Sequence, residues 1–162
     1  MKIVTEPNTI LHQKCAKVKK FDKSLHDFAI EMIDALRKYN GVGLSAVQLG
    51  KPINMTVIEY IPQNMDENSK KELRANESIP LMILVNAKIT KFSDKTYIAP
   101  EGCLSLPEKE YPIKRSCEVH VLAQDINGER VKIRARDFFA RILQHELDHA
   151  NGILITDKIY HD

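Results

Sequence analysis

The chain has 162 residues, 43% hydrophobic and 28% charged, with a net charge of +2. That is enough for one domain with a proper core and too little for two, and the charge balance argues for neither nucleic acid nor an anionic membrane as partner. No apolar run is long enough to cross a bilayer, and the opening "MKIVTEPNTI" lacks the apolar core of a signal peptide, so the expected location is the cytoplasm.

Residues 24 to 39, "SLHDFAIEMIDALRKY", predict an amphipathic helix. Leu25, Phe28, Met32 and Leu36 space at three or four, Ser24 is the expected cap, and Asn40-Gly41 the stop. "GVGLSAVQLG" follows, a glycine-punctuated segment. It lacks the Gly-Lys-Ser/Thr of a phosphate loop and reads on its own as a tight turn. Residues 53 to 61 read as a strand. Residues 62 to 80, polar and bounded by prolines, read as an exposed loop inserted in a single domain spanning 1–162. Residues 81 to 89 are a second strand. "APEGCLSLP" reads as a loop closed by Pro107, and "EVHVLA" and "ERVKIRA" flank "QDING" as a hairpin. A second helix is expected over 138 to 151, ending at Asn151-Gly152. Clustered strands with two helices predict an α+β fold.

The second helix carries "QHELDH", with His145 and His149 four residues apart on one face. Phe138, Phe139, Ile142, Leu143 and Leu147 fill a broad apolar arc that includes Glu146. Ala140, Arg141, Gln144 and Asp148 fill the opposite arc, and Asp148 reads as a solvated or salt-bridged carboxylate. A carboxylate aimed into a core is costly unless paired, and a cation bound by the two histidines supplies the pairing. Glu146 sits next to one ligand and three residues from the other, placed to take a proton from metal-bound water.

Two histidines need a third ligand. The downstream pattern His-x-x-Gly-x-x-His is met at Gly152 but fails at Ile155, and no glutamate follows Glu146. The third ligand therefore lies upstream, among Cys15, His12, His26, Cys103, Cys117, His120 and many acids. Cys103, beside Gly102 in "EGCLS", has the best setting. Cys117 reads as a structural thiol at a strand edge. Three cysteines, odd in number and far apart, point to free thiols or a metal ligand rather than a disulfide framework. A Cys-His-His set leaves one tetrahedral position open and suits Fe(II) as well as Zn(II).

Three segments together resemble peptide deformylase. "GVGLSAVQ" resembles the family's motif Gly-x-Gly-Leu-Ala-Ala-x-Gln, "EGCLS" matches the second motif in full, and "QHELDH" matches the third. "PNTILHQKCAKV" resembles the N-terminal arm, and the likeness runs from about residue 3 to about 159. The resemblance implies short antiparallel sheets packed around a central C-terminal metal-binding helix, with one further N-terminal helix. It implies removal of the N-formyl group from nascent chains beginning with formyl-methionine. Carried across, Cys103, His145 and His149 bind one divalent ion, Fe(II) in the cell and Zn(II), Ni(II) or Co(II) in preparations. Glu146 is general base and then acid. Gln48 and the Leu104 N–H stabilise the formyl oxygen with the metal. Val42, Gly43 and Glu101 contact substrate, with Phe138 and Ile142 as further candidates for a pocket taking the methionine side chain. The implied partners are formylated nascent chains and the ribosome near its exit tunnel, for a monomer with no membrane and no sequence-specific nucleic-acid contact. Arg115 is a candidate partner for Glu101.

The sequence departs from the family at Ser45, which replaces the first Ala of motif one and adds a hydroxyl that needs a partner if buried. Ala150 replaces a common Leu, and the longer C-terminal helix of some members is missing. The rival readings are a general metallopeptidase, disfavoured by the failed downstream ligands, and a binder without turnover, disfavoured by intact Glu146, Gln48 and Leu104.

Overall fold

The computed structural model describes residues 1–62 and 78–162. The loop expected over 62 to 80 lies for the most part outside these residues, and its end at Ile79-Pro80 already belongs to a strand. Helix α1 spans Lys23–Lys38 and α2 spans Asp137–Ala150. Seven strands accompany them among the described residues: β1 Gly43–Ser45, β2 Met55–Tyr60, β3 Ile79–Phe92, β4 Thr96–Cys103, β5 Leu106–Ser116, β6 Glu118–Gln124 and β7 Arg130–Arg136.

The strands form an antiparallel sheet in the order β1-β2-β3-β6-β7 and a separate β4-β5 hairpin. The α+β expectation holds, as does the hairpin around "QDING", where β6 and β7 pair from Glu118↔Arg136 to Gln124↔Arg130. Not every strand is short, since β3 runs 14 residues and β5 runs 11. Register shifts at Val85/Lys88 and Ile89/Lys91 interrupt the long β3 pairing, as bulges do in long strands.

Helix α1 buries Leu25, Phe28, Ala29, Met32, Ala35 and Leu36, one face at helical spacing. Its cap differs from expectation. Asp22, in extended backbone, accepts the Leu25 N–H through its side chain, and Ser24 lies inside the first turn. Helix α2 touches β1, β2, β3, β5, β6 and β7 and is the element that the rest of the fold surrounds. It ends where expected. Gly152 has φ +71°, and a Cβ there would overlap the His12 carbonyl, so only glycine lets the chain leave the helix past the N-terminal arm.

Two further expectations change. "GVGLSAVQLG" is not a simple turn but β1 followed by a 3-10 turn over Ala46–Leu49. Cys103 is not in a loop. It is the last residue of β4, and the chain reverses through Leu104 and Ser105 into β5. The apolar core continues from α1, β1 and β2 to a second cluster between the sheet and α2.

Candidate metal centre

His145 and His149 project from one face of α2, with ring centroids 5.1 Å apart. The end of β4 brings Cys103 against them, its Sγ 3.3 Å from His149 Nε2. The three donor atoms all lie within 4.8 Å of one another. Ligand bonds of 2.0 to 2.3 Å at tetrahedral angles put donors ~3.5 Å apart, so the group fits a small divalent ion. Among the described residues it is the group of three His, Cys or carboxylate donors that can hold one. Cys15 and Cys117 are free thiols elsewhere. Burial pushes Cys15 up to about 11, which leaves it protonated and inert.

Glu101 orients the first histidine. Its Oε2 accepts from His145 Nδ1 at 3.0 Å, which turns Nε2 of that ring away from Glu101 and frees it for a metal. The carboxylate is buried and fully engaged. Arg115 grips it with two bonds of 2.9 Å, and Arg141 donates to Oε1 at 2.6 Å. Burial would raise its pKa, but Arg115 and His145 hold it well below the usual carboxylate range. The expected Arg115–Glu101 pair is therefore present. Asp148 is salt-bridged rather than solvated, to Arg115 and to Lys158.

The polar arc of α2 lies under protein. Arg141 is 4% exposed and Gln144 5%. Arg141 donates to the carbonyls of Ile113 and Tyr97 and stacks on the Tyr97 ring. Gln144 clamps Ser116 by accepting from its N–H and donating to its carbonyl. That arc reads the β4-β5 hairpin and sets where Cys103 sits.

Burial and neighbouring groups drive the two histidines in opposite directions. Burial works against a charge on His145, yet the Cys103 thiol and the Glu101 carboxylate hold its proton up to about 10. His149 is pushed the other way, well below its ordinary value, by burial and by the charges of His145 and Arg115. It stays neutral and offers a lone pair. A thiol and two carboxylates around two imidazoles make a place that a cation satisfies better than a proton.

Glu146 is 3% exposed, and burial raises its pKa. It packs on Gly43, where a Cβ would overlap its carboxylate. Its Oε2 lies 3.1 Å from Ser45 Oγ and 3.5 Å from Thr56 Oγ1. Gln48 is buried too. Its Oε1 accepts the Ser45 N–H at 2.9 Å, which directs Nε2 to Ser105 Oγ at 3.1 Å and toward Cys103 Sγ at 3.6 Å.

A cavity of about 1000 Å³ opens beside this centre. Cys103, His145, Glu146, Gln48 and Leu104 line it, and so do Val42, Gly43, Glu101, Phe138 and Ile142. Every expected site residue except His149 reaches that wall, and His149, 1% exposed, lies behind. The apolar wall is buttressed by Tyr60, edge-on to Phe138 at 5.2 Å. Sequence reasoning missed Arg141, Gln144, Ser105 and Thr56. Arg141 was within reach, because it stands one turn before His145 on the same helix. Thr56 was not, because only strand pairing brings it to Ser45.

The polypeptide deformylase family model matches residues 1–162. A peptide deformylase of Dictyoglomus thermophilum is 36% identical over 149 residues, 92% of this chain and 86% of that protein. The crystal structure of a peptide deformylase from Thermotoga maritima aligns with a TM-score of 0.84 at 32% identity, covering 99% of this chain and 97% of the other. A Met-Ala-Ser-bound class I type b peptide deformylase from Acinetobacter baumannii aligns with a TM-score of 0.89 at 28% identity, over 98% of each chain.

Proposed function

The chain belongs to the polypeptide deformylase family, and from that premise we propose how its residues divide the work. It is an enzyme that removes the formyl group from N-terminal formyl-methionine in a metal-dependent reaction. The observation that carries this reading is the Cys103, His145 and His149 donor group with Glu146 buried beside it at the wall of one cavity. Residues 1–162 act as one catalytic unit.

When bound, the ion supplies Lewis-acid polarisation of the formyl carbonyl and makes water acidic enough to attack near neutral pH. Fe(II) is the ion we assign in the cell, with Ni(II), Zn(II) or Co(II) substituting in preparations. One thiolate and two imidazoles support this, because they suit borderline divalent metals. Cys103, His145 and His149 hold it, and Glu101 fixes the His145 ring.

Glu146 takes the proton of the attacking water at its carboxylate and delivers it to the peptide nitrogen as the C–N bond breaks. Formate and a free amino terminus result. A carboxylate whose pKa is raised by burial suits both halves of that transfer. The Gln48 Nε2 and the Leu104 N–H donate to the formyl oxygen as charge develops there. The Ser45 N–H already fixes the Gln48 amide, so it needs little reorganisation. Phe138 and Ile142 pack the methionine side chain. Val42 and Gly43 meet the substrate main chain, and Glu101 contributes through its backbone, since its carboxylate is engaged. The Met-Ala-Ser bound to the Acinetobacter baumannii relative supports a peptide occupant. Among the described residues no helix is long and apolar enough to cross a membrane. The three free cysteines support a reducing cytoplasm as the place of action.

The test is anaerobic loading with iron or nickel, then assay on formyl-Met-Ala-Ser and on the unblocked peptide. Formate release from the first with no cleavage of the second is expected. Peptide-bond cleavage of the unblocked peptide would overturn the reading in favour of a general peptidase. Glu146→Ala loses turnover by about 10²- to 10⁴-fold with the metal retained, and Cys103→Ala loses the metal.

A further inference from the structure

Ser45 sits opposite Thr56 in the β1-β2 pairing, which places two hydroxyls side by side beneath α2. Both are buried, at 2% and 3% exposure. Ser45 Oγ lies 2.9 Å from the Glu146 carbonyl oxygen and 3.1 Å from Glu146 Oε2. Thr56 Oγ1 is 3.0 Å from the Leu44 carbonyl and 3.5 Å from Oε2. Each hydroxyl has one proton. Thr56 has its nearer acceptor in Leu44. Both close acceptors of Ser45 belong to Glu146, the backbone carbonyl at 2.9 Å and Oε2 at 3.1 Å, so either bond ties Ser45 to that residue and an ionised Oε2 is the stronger acceptor. On its other side Glu146 meets Gly43, with Oε1 in the space a Cβ would fill, and Gly43 lines the cavity.

Resting on the deformylase reading, we propose that Ser45 is a positioning residue that ties Glu146 Oε2 to β1 and so keeps Oε1 turned to Gly43 and the cavity. The same residue fixes the Gln48 amide through its backbone N–H. Its main chain thus orients the donor for the formyl oxygen, and its side chain orients the base. The terminal torsion of a glutamate is broad and roughly two-fold, so the tie narrows the range of orientations this carboxylate samples. Thr56 at 3.5 Å is too distant to replace the tie. Alanine at 45 keeps the N–H and removes the hydroxyl, which separates the two roles.

The experiment compares nickel-loaded wild type, Ser45→Ala, Ser45→Cys and Thr56→Val on formyl-Met-Ala-Ser. Ser45→Ala is expected to lower kcat about threefold to tenfold, the worth of one hydrogen bond, with KM and nickel content unchanged. Ser45→Cys, with its weak S–H donor, recovers part of the loss, and Thr56→Val has the smaller effect. Crystal structures of the nickel-loaded proteins give a second readout. The Glu146 carboxylate is single in the wild type and rotated or doubled in Ser45→Ala. Unchanged kcat with an unmoved carboxylate overturns the proposal, as does a loss traced to nickel content or to KM alone. A wild type that does not deformylate counts against the functional reading instead, while the carboxylate orientation still decides the role of Ser45.

Discussion

The two helices have similar lengths, but they are packed differently. Helix α1 buries one face, and Arg37, exposed on its outer side, meets the half-buried Glu59. Helix α2 is enclosed by six strands, and its polar arc holds Arg141 and Gln144 under the β4-β5 hairpin. On α1 polarity marks solvent. On α2 it marks a hydrogen-bonded contact. A helix in the middle of a fold spends its polar residues on aligning its neighbours, here the strand that carries a metal ligand.

If that contrast is right, breaking the polar side of α2 costs far more than breaking the outer side of α1. The largest effect is expected for Glu101→Ala. It leaves Arg115 and Arg141 buried without their carboxylate, at a cost of about 3 to 5 kcal/mol in denaturant unfolding. It also frees the His145 ring, so metal affinity drops about 10- to 100-fold in a chelator competition. Wild-type affinity in that variant would refute the orienting role of Glu101.

Acid sharpens the same contrast. The folded-state pKa of Glu101 lies below its unfolded value, so its contribution is present above the ordinary carboxylate range. That contribution is lost as pH falls from there through the folded value. Unfolding of the metal-free wild type and Glu101→Gln, followed from pH 7 down to about pH 3, should show the wild-type advantage shrinking below about pH 4. An advantage that grew on acidification would contradict the assignment.

Removing the α1 cap should matter less. Asp22→Ala is expected to cost about 1 kcal/mol, read by thermal or denaturant unfolding, with catalysis unaffected. Ser24→Ala serves as its control and should change little. The smallest effect is expected for Arg37→Ala, whose exposed guanidinium is screened by water and salt, and a clear drop in melting temperature there would blur the distinction.

Much of the site was legible because its chemistry is local. His145, Glu146 and His149 lie on successive turns of one helix, and their spacing alone places two imidazoles on one face and a carboxylate beside them. Cys103 was reached by eliminating downstream ligands, although its position was read as a loop when it ends a strand. The cap of α1 was misplaced because Ser and Asp both serve there, and only the backbone conformation at Asp22 chooses between them. The arc of Arg141, Gln144 and Asp148 was legible as polar, but not the burial of Arg141 and Gln144. Periodicity reports which side chains share a face and says nothing of what covers it.

The sequence by itself determined the two helices, the α+β class, the histidine pair with its glutamate and the family, since each depends on residue identity, periodicity or motif, whereas the β4-β5 hairpin that carries Cys103 was not legible in it. Tertiary structure decided which groups hold those donors in place. Arg115 and Arg141 reach Glu101 from 14 and 40 residues away, and Ser45 reaches Glu146 across 101. Contacts of that separation are fixed by strand register and by the enclosure of α2, which arise only when the whole chain closes around one core.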